Sequence, residues 1–457
     1  MTDLPGREND PNENPFAMFG NPEQIAAAMR QFADMLSAPP SSGPVNWDMA
    51  KNIARHVVAA EGDPSVMEGE RRQIVDALNL ADLWLNEATA LPSGVNNPQA
   101  WSRSEWIEKT IPVWRKLCDP IAARMVETMS GTLGAAGLPP EAQAMAGPLM
   151  GMMKQMGGMM VGQQIGQAVG SLAREVLGST DIGLPLSDNA ALLPGGIAAF
   201  SQGLETPAEE IRLYLALREA AHHRLFQHVP WLRAHLLGAV EEYARGITVD
   251  ASALEEQIRG LDINNPEQIQ QLLSGGNLLK PEETERQKAA LSRLETMLAL
   301  VEGWVGTVVD SAAEGKLPSA TALAETVRRR RASGGPAEQT FATLVGLELR
   351  PRRLREAAVL WQALKADRGV DGRDALWSHP DLMPTADDLE NPERFVRGEP
   401  ELDLSALEAS LREASAAPGE DRASGEGAAD KGDARDTQRE GDDKDDEGGT
   451  GAKGEGV

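Results

Sequence analysis

Four of the six histidines, His222, His223, His228 and His235, fall within fourteen residues of a 457-residue chain. Imidazoles at that density suit metal ligation or proton transfer. Helical spacing puts Ile211, Leu215, Arg218, His222 and Leu225 on one stripe, so a cation and an imidazole share the face that otherwise seeks the core. A second stripe, Leu291, Leu294, Leu298, Val305 and Val309, carries Glu302 among its apolar residues. Buried charge is costly unless paired. Two helices that each turn a polar group inward therefore predict one shared site.

The elements that must position these residues are helices. Thr206-Pro207-Ala208-Glu209 combines an N-cap, proline at the first position and a capping-box glutamate. The helix it opens is expected to reach about Phe226, with a turn at Pro230 and a second helix over 231–245. Glu302 belongs to a long helical pattern from Pro281 to about Ala313, about 50 Å at 1.5 Å per residue. Upstream, Ile25, Met29, Phe32 and Leu36 recur at helical spacing, and further helical runs fall around 46–60, 66–90 and 102–118. A last helical section follows Gly335 and ends near Leu389. Between Asp181 and Phe200 the period fades into short apolar pieces, the one place where a little β-structure is expected.

Residues 125–160 hold nine of the 17 methionines, and Gly158, Gly162, Gly166 and Gly170 then repeat every fourth residue. A Met-rich binding surface is one reading. A tightly packed internal helix or a self-association face is the other, since a ridge of glycines permits close helix approach. The stretch from Gln155 to Ala173 lacks charge but contains four glutamines and five glycines, with Lys154 adjoining, which suits a buried helix better than a membrane span.

The balance of 70 acidic against 44 basic residues, net −26, opposes non-specific binding to nucleic acid or to an anionic membrane. Residues 419–457 hold 13 acids and 6 bases with almost nothing to bury, a disordered tail; residues 1–20 are read as disordered too. Arg328 to Arg331, with Arg350, Arg352, Arg353 and Arg355, make a basic zone without interleaved aromatics. Pairing with acidic helices or with the tail is expected there, and nucleic acid is not. Cys118 is the only cysteine, so no intramolecular disulfide can form, and the N-terminus MTDLPGRENDPNENP is no secretory signal. A cytoplasmic location is expected. The polar segment from Gly372 to Asp381 could line a cleft, or form a capped turn around a buried Trp377.

The region from about Ser201 to Asp310 resembles the zincin-like metallopeptidase family found in actinobacteria, and the similarity continues weakly between about 45 and 390. The residues that carry it are Arg218-Glu219-Ala220-Ala221-His222, the following Phe226-Gln227-His228-Val229-Pro230-Trp231-Leu232, and Glu302-Gly303-Trp304. The family's motif is H-E-x-x-H with a later E-G-[WY]. In it two histidines one helical turn apart meet a zinc ion, the glutamate between them acts as general base, and a distant glutamate is the third ligand. The resemblance implies Glu219 as general base, with His222 and Glu302 as metal ligands. It also implies a mainly α, multi-helix zincin-like fold with little β-structure and disordered termini. The expected regions are 1–20 disordered, 21–180 N-terminal helical, 181–395 zincin-like, and 396–457 a linker and acidic tail.

Arg218 stands where the first ligand histidine belongs. A guanidinium has five donors and no lone pair, so it cannot ligate zinc. Structural zinc is worth roughly 10–16 kcal/mol to a four-ligand peptide, so losing one ligand removes about 3 kcal/mol. His223 points about 100° away around the helix, and His228 or His235 reaches the site only if the turn at Pro230 folds back. Alternatively Arg218 takes the metal's place, its cation against Glu302 alone or against Glu302 and Glu219 together. Two functions follow: a zinc-dependent hydrolase with a degenerate metal site, or a non-catalytic scaffold that keeps the fold to bind a peptide or protein.

Overall fold

Asn46 begins the first described helix by accepting a hydrogen bond from the Met49 amide at 3.0 Å, an N-cap on α1 (Trp47–Ala60). The structure, a computed structural model, describes residues 43–135, 140–245, 284–332 and 353–398. These lie in the first of two units, Met1–Glu399 and Pro400–Val457. The expected helix at Ile25–Leu36 and both terminal segments read as disordered fall outside the described residues.

The order continues with α2 (Glu68–Leu85), β1 (Gln99–Ala100), α3 (Arg103–Ala135), α4 (Pro140–Ala173), β2 (Ala191–Leu192) and α5 (Pro194–Phe200). Then come α6 (Ala208–His228), α7 (Pro230–Arg245), α8 (Glu285–Ala313), α9 (Ala320–Ala332) and α10 (Leu354–Asp374). Two short 3₁₀ turns, Ala375–Ser378 and Pro380–Leu382, lead to α11 (Ala386–Glu390) and α12 (Pro392–Arg397). The fold is mainly α. Its β-structure among the described residues is one parallel pair, Gln99 against Ala191 and Ala100 against Leu192, plus an isolated bridge from Gly178 to Leu192. The strand at 191–192 falls inside the stretch where β-structure is expected, whereas its partner at 99–100 carries no periodicity to announce it.

The glycine ridge of α4 is filled from within the chain. Helix α1 packs along it, burying Ala50, Ala54 and Val58. A Cβ on Gly166 would lie 2.6 Å from the Ala50 carbonyl oxygen, and one on Gly170 2.7 Å from Val57 Cβ. Asn46 N donates to the Gly158 carbonyl at 3.1 Å. Only glycine lets two backbones approach so closely. Among the described residues no helix is long and apolar enough to cross a membrane.

Helix α2 buries Ile74, Leu78, Ala81 and Leu85 and packs along α6. Helix α8 lies against α6, α7 and α10. Its start is a reciprocal cap: Thr284 accepts from Gln287 N while the Gln287 side chain accepts from Thr284 N. At the start of α6, by contrast, Pro207 occupies the cap position and no side chain caps the helix, so the Thr206 cap and glutamate box read from the sequence do not form. Fixed in φ by its ring, Pro207 starts the helix without them.

Aromatic residues lock α8 to α10. Trp377 stacks on Trp361 at 5.4 Å and on Trp231 at 6.1 Å, and meets Trp304 edge-on at 6.4 Å. Beside them Asp374 accepts from Trp304 Nε1 at 2.8 Å, Thr89 Oγ1 at 2.6 Å and Ala90 N at 2.8 Å, with Arg373 Nε at 2.7 Å. Around Trp377, then, the polar segment 372–381 forms a joint in which Arg373 and Asp374 are buried and bonded.

Candidate functional site

Helices α6 and α8 bring Arg218, His222 and Glu302 together, as the two stripes require. Arg218 Nη2 donates to Glu302 Oε2 at 2.6 Å, and His222 Nε2 lies 2.9 Å from Glu302 Oε1. The other ring nitrogen of His222, Nδ1, is 2.8 Å from the Arg218 carbonyl oxygen. Both ring nitrogens of His222 are thus held, one by the turn of α6 before it and one by the carboxylate of α8. A second guanidinium arrives from α9: Arg331 Nη1 sits 2.5 Å from Glu302 Oε1, and its Nη2 donates to the Asp181 carbonyl at 2.5 Å.

Glu302 is thus one carboxylate between two guanidinium groups and an imidazole, with its side chain 4% exposed. Burial alone would raise its pKa, but Arg331, His222 and Arg218 together hold it well below the usual carboxylate range. Arg218 answers in kind. Burial disfavours its charge, yet Glu302 keeps it protonated more firmly than a free guanidinium.

Glu219 lies one residue on from Arg218, and its carboxylate occupies a different space. It accepts from Ser179 N at 3.0 Å, Ala191 N at 3.1 Å, Thr180 N at 3.2 Å, Thr180 Oγ1 at 2.6 Å, and the Ser179 hydroxyl. His223 Nε2 adds a charged or dipolar contact at 3.4 Å. Burial pushes the Glu219 carboxyl up, but the bonds from His223, Ser179 and Thr180 bring it down to about 2. The side chain ties α6 to the loop after α4 and to β2. Gly178 leaves room for it, since a Cβ there would fall 2.6 Å from Glu219 Oε2.

Ser179, His223 and Glu219 together resemble a nucleophile, base and orienter, with Ser179 Oγ 3.0 Å from His223 Nε2. Ser179 is 0% exposed, His223 1% and Glu219 3%, so no substrate reaches the hydroxyl. Of the other histidines, His228 Nε2 bonds the Ser93 carbonyl at 2.9 Å near the surface, and His235 packs edge-on against Trp231. None of His223, His228 or His235 joins the Glu302 cluster.

A cavity of about 290 Å³ opens beside Arg218 and Glu302. Tyr214, Asp310, Arg328, Arg331 and Arg355 are among its lining residues. The basic run of α9 divides: Arg328 and Arg329 pair with Glu325 of their own helix at 3.2 and 3.5 Å, Arg330 with Asp181 at 3.0 Å, and Arg331 with Glu302. Arg331 is the site residue that sequence reading misses, because it looks like one of four equivalent surface arginines. Ser179 and Thr180 are missed for want of any local signal.

The protein is an α-helical scaffold whose centre holds a saturated ion cluster facing a cavity. The model of a family described as zincin-like metallopeptidase matches residues 45–396, and the chain belongs to that family. In fold it is similar to the crystal structure of a candidate hydrolase with a novel fold from Chloroflexus aurantiacus. That likeness has a TM-score of 0.54 at 22% identity over 78% of this chain and 99% of the other. Among curated proteins none matches.

Zinc, the metal this family implies, does not fit the side chains present. Arg218 offers no lone pair, and the two oxygens of Glu302 are each taken by a guanidinium group, Oε2 by Arg218 and Oε1 by Arg331. No group of three or more His, Cys, Asp or Glu among the described residues is arranged to hold a metal ion.

Proposed function

We propose that this chain is a zincin-like protein in which Arg218 and Arg331 hold the place of the metal, and that it binds a peptide or protein without cleaving it. The observation that carries this reading is the Glu302 carboxylate bridging Arg218, His222 and Arg331. Those charges do the electrostatic work that a dication would otherwise do for a buried carboxylate. The single cysteine, Cys118, fits a reducing cytoplasmic location.

Elemental analysis of the native protein after dialysis tests the reading: it should hold no stoichiometric zinc. A peptide-library assay should show no cleavage that is lost both in chelator and in Glu219→Gln.

The second reading, a zinc-dependent hydrolase with Glu219 as general base and His222 and Glu302 as ligands, is favoured by family membership. It requires Glu219 to leave five hydrogen-bond donors before it can touch a water. Stoichiometric zinc, with cleavage abolished by chelator and by Glu219→Gln, would establish it in place of the first.

A further inference from the structure

The cavity beside Arg218 has a composition that the ion cluster does not explain. Four arginines, Arg218, Arg328, Arg331 and Arg355, line it against two carboxylates, Glu302 and Asp310. Counting Glu325, which pairs with Arg328 at 3.2 Å, the four arginines still outnumber the carboxylates that meet them by one, inside a chain whose net charge is −26. Burial pushes the Asp310 carboxyl up, against the pull of Arg328 and Arg218. Arg355 is exposed and has no carboxylate partner among the described residues. Arg331 keeps a buried Nε–H without a hydrogen-bond acceptor among the described residues.

The remaining walls are mostly aliphatic, with Val327, Leu354 and Val359 among them, beside Tyr214 and Gln362. Small-molecule sites of about 300–1,000 Å³ are usual, so a volume of about 290 Å³ admits something the size of one residue or a short organic acid. Guanidinium groups match planar carboxylates by paired hydrogen bonds. Inorganic phosphate would satisfy the cations but leave the aliphatic walls facing water.

We propose that this cavity is a carboxylate pocket, taking either the C-terminal residue of a peptide or a small free organic acid with a short aliphatic body. The inference rests on the reading above, in which the site binds and does not cleave, and it names the chemistry of what is bound.

Titration calorimetry on the full chain at low ionic strength tests it. The probes are N-acetyl-leucine and its amide, a short Leu-ending peptide with free or amidated C-terminus, and inorganic phosphate. The free acids should bind, with amides and phosphate at least about tenfold weaker, a difference of about 1.4 kcal/mol. A peptide that binds well above N-acetyl-leucine identifies a chain terminus as the ligand; equal affinities identify the free acid.

Gly306 lines the cavity, and a Cβ there would meet nothing within 4 Å. Gly306→Leu should therefore fill the space without disturbing the helix and abolish binding. Arg355→Ala should weaken the free acids about tenfold and leave the melting temperature unchanged. Amides or phosphate that bind as well as the acids, or affinities unmoved in both variants, would overturn the assignment. Zinc-free protein that binds no acid defeats this inference alone, whereas stoichiometric zinc in native protein defeats the reading beneath it.

Discussion

Arg331 and Glu302 lie 2.5 Å apart across the packing of α9 against α8. That contact changes the character of the site. With Arg218 alone the cluster would be a simple ion pair; with Arg331 and the His222 ring on the other oxygen it becomes a carboxylate in a cationic cage. The cage works as one unit, so its members should not be equally costly to remove.

Glu302→Gln should destabilise the fold most, because it takes the carboxylate from two largely buried guanidinium groups at once. The expected loss is about 3–5 kcal/mol in urea unfolding. Arg218→Met should cost less, since Arg331 and His222 remain on the carboxylate. Equal losses from the two would contradict the cage.

Arg218→His should create zinc binding, measurable by titration with a chromophoric chelator, provided Arg331 is also replaced, as in Arg331→Gln. The single variant should bind zinc more weakly than the double one, because Arg331 continues to occupy Glu302 Oε1. Identical affinities would mean that Arg331 does not compete for that oxygen.

Much of this site is legible in the residues alone. Arg218 and His222 on one helical face, and Glu302 on another, stand out because a charged side chain on an apolar stripe demands a partner. Those three do meet. The fate of Glu219 is not legible, because three of its partners are backbone amides of residues 179, 180 and 191. Backbone donors are the same in every sequence, so no residue type marks them. The strand at 99–100 is hidden for a related reason, as two residues are too few to show alternation. Arg331 is visible as an arginine but not as a particular one, since choosing it from Arg328–Arg331 takes the pitch of α9 against α8.

Glu219→Gln should cost about 3 kcal/mol of stability, because an amide nitrogen would replace an oxygen that only donors surround. Thermal denaturation followed by circular dichroism checks this. A residue kept only for chemistry would be replaced with little loss of stability, the opposite outcome.

Acid should unfold the protein through its buried carboxylates. Glu219 is held at about 2 against 4.5 for a free carboxyl, so its contribution is full above about pH 4.5 and lost as pH falls towards 2. The difference corresponds to about 3 kcal/mol, and Glu302 is displaced in the same direction. Asp310, raised by burial, works the other way and softens the loss. Unfolding free energies measured between pH 5 and 2.5 should fall steadily in the native chain and less steeply in Glu219→Gln.

Gly166→Val should pry α1 from α4. Its added Cβ would press on the Ala50 backbone oxygen at 2.6 Å, a contact that no rotamer change relieves. A loss of about 1–3 kcal/mol is expected in denaturant unfolding, the usual cost of overpacking.

Trp231, Trp304, Trp361 and Trp377 give the molecule an optical handle on its own centre. Indoles stacked this closely share their excited states, so the near-ultraviolet dichroism of the cluster depends on how α8 and α10 are docked. Trp304 is two residues from Glu302, and Trp361 is one from Gln362, which lines the cavity. Any ligand that shifts these helices will therefore alter a signal the native chain already emits, and no label has to be added to see it.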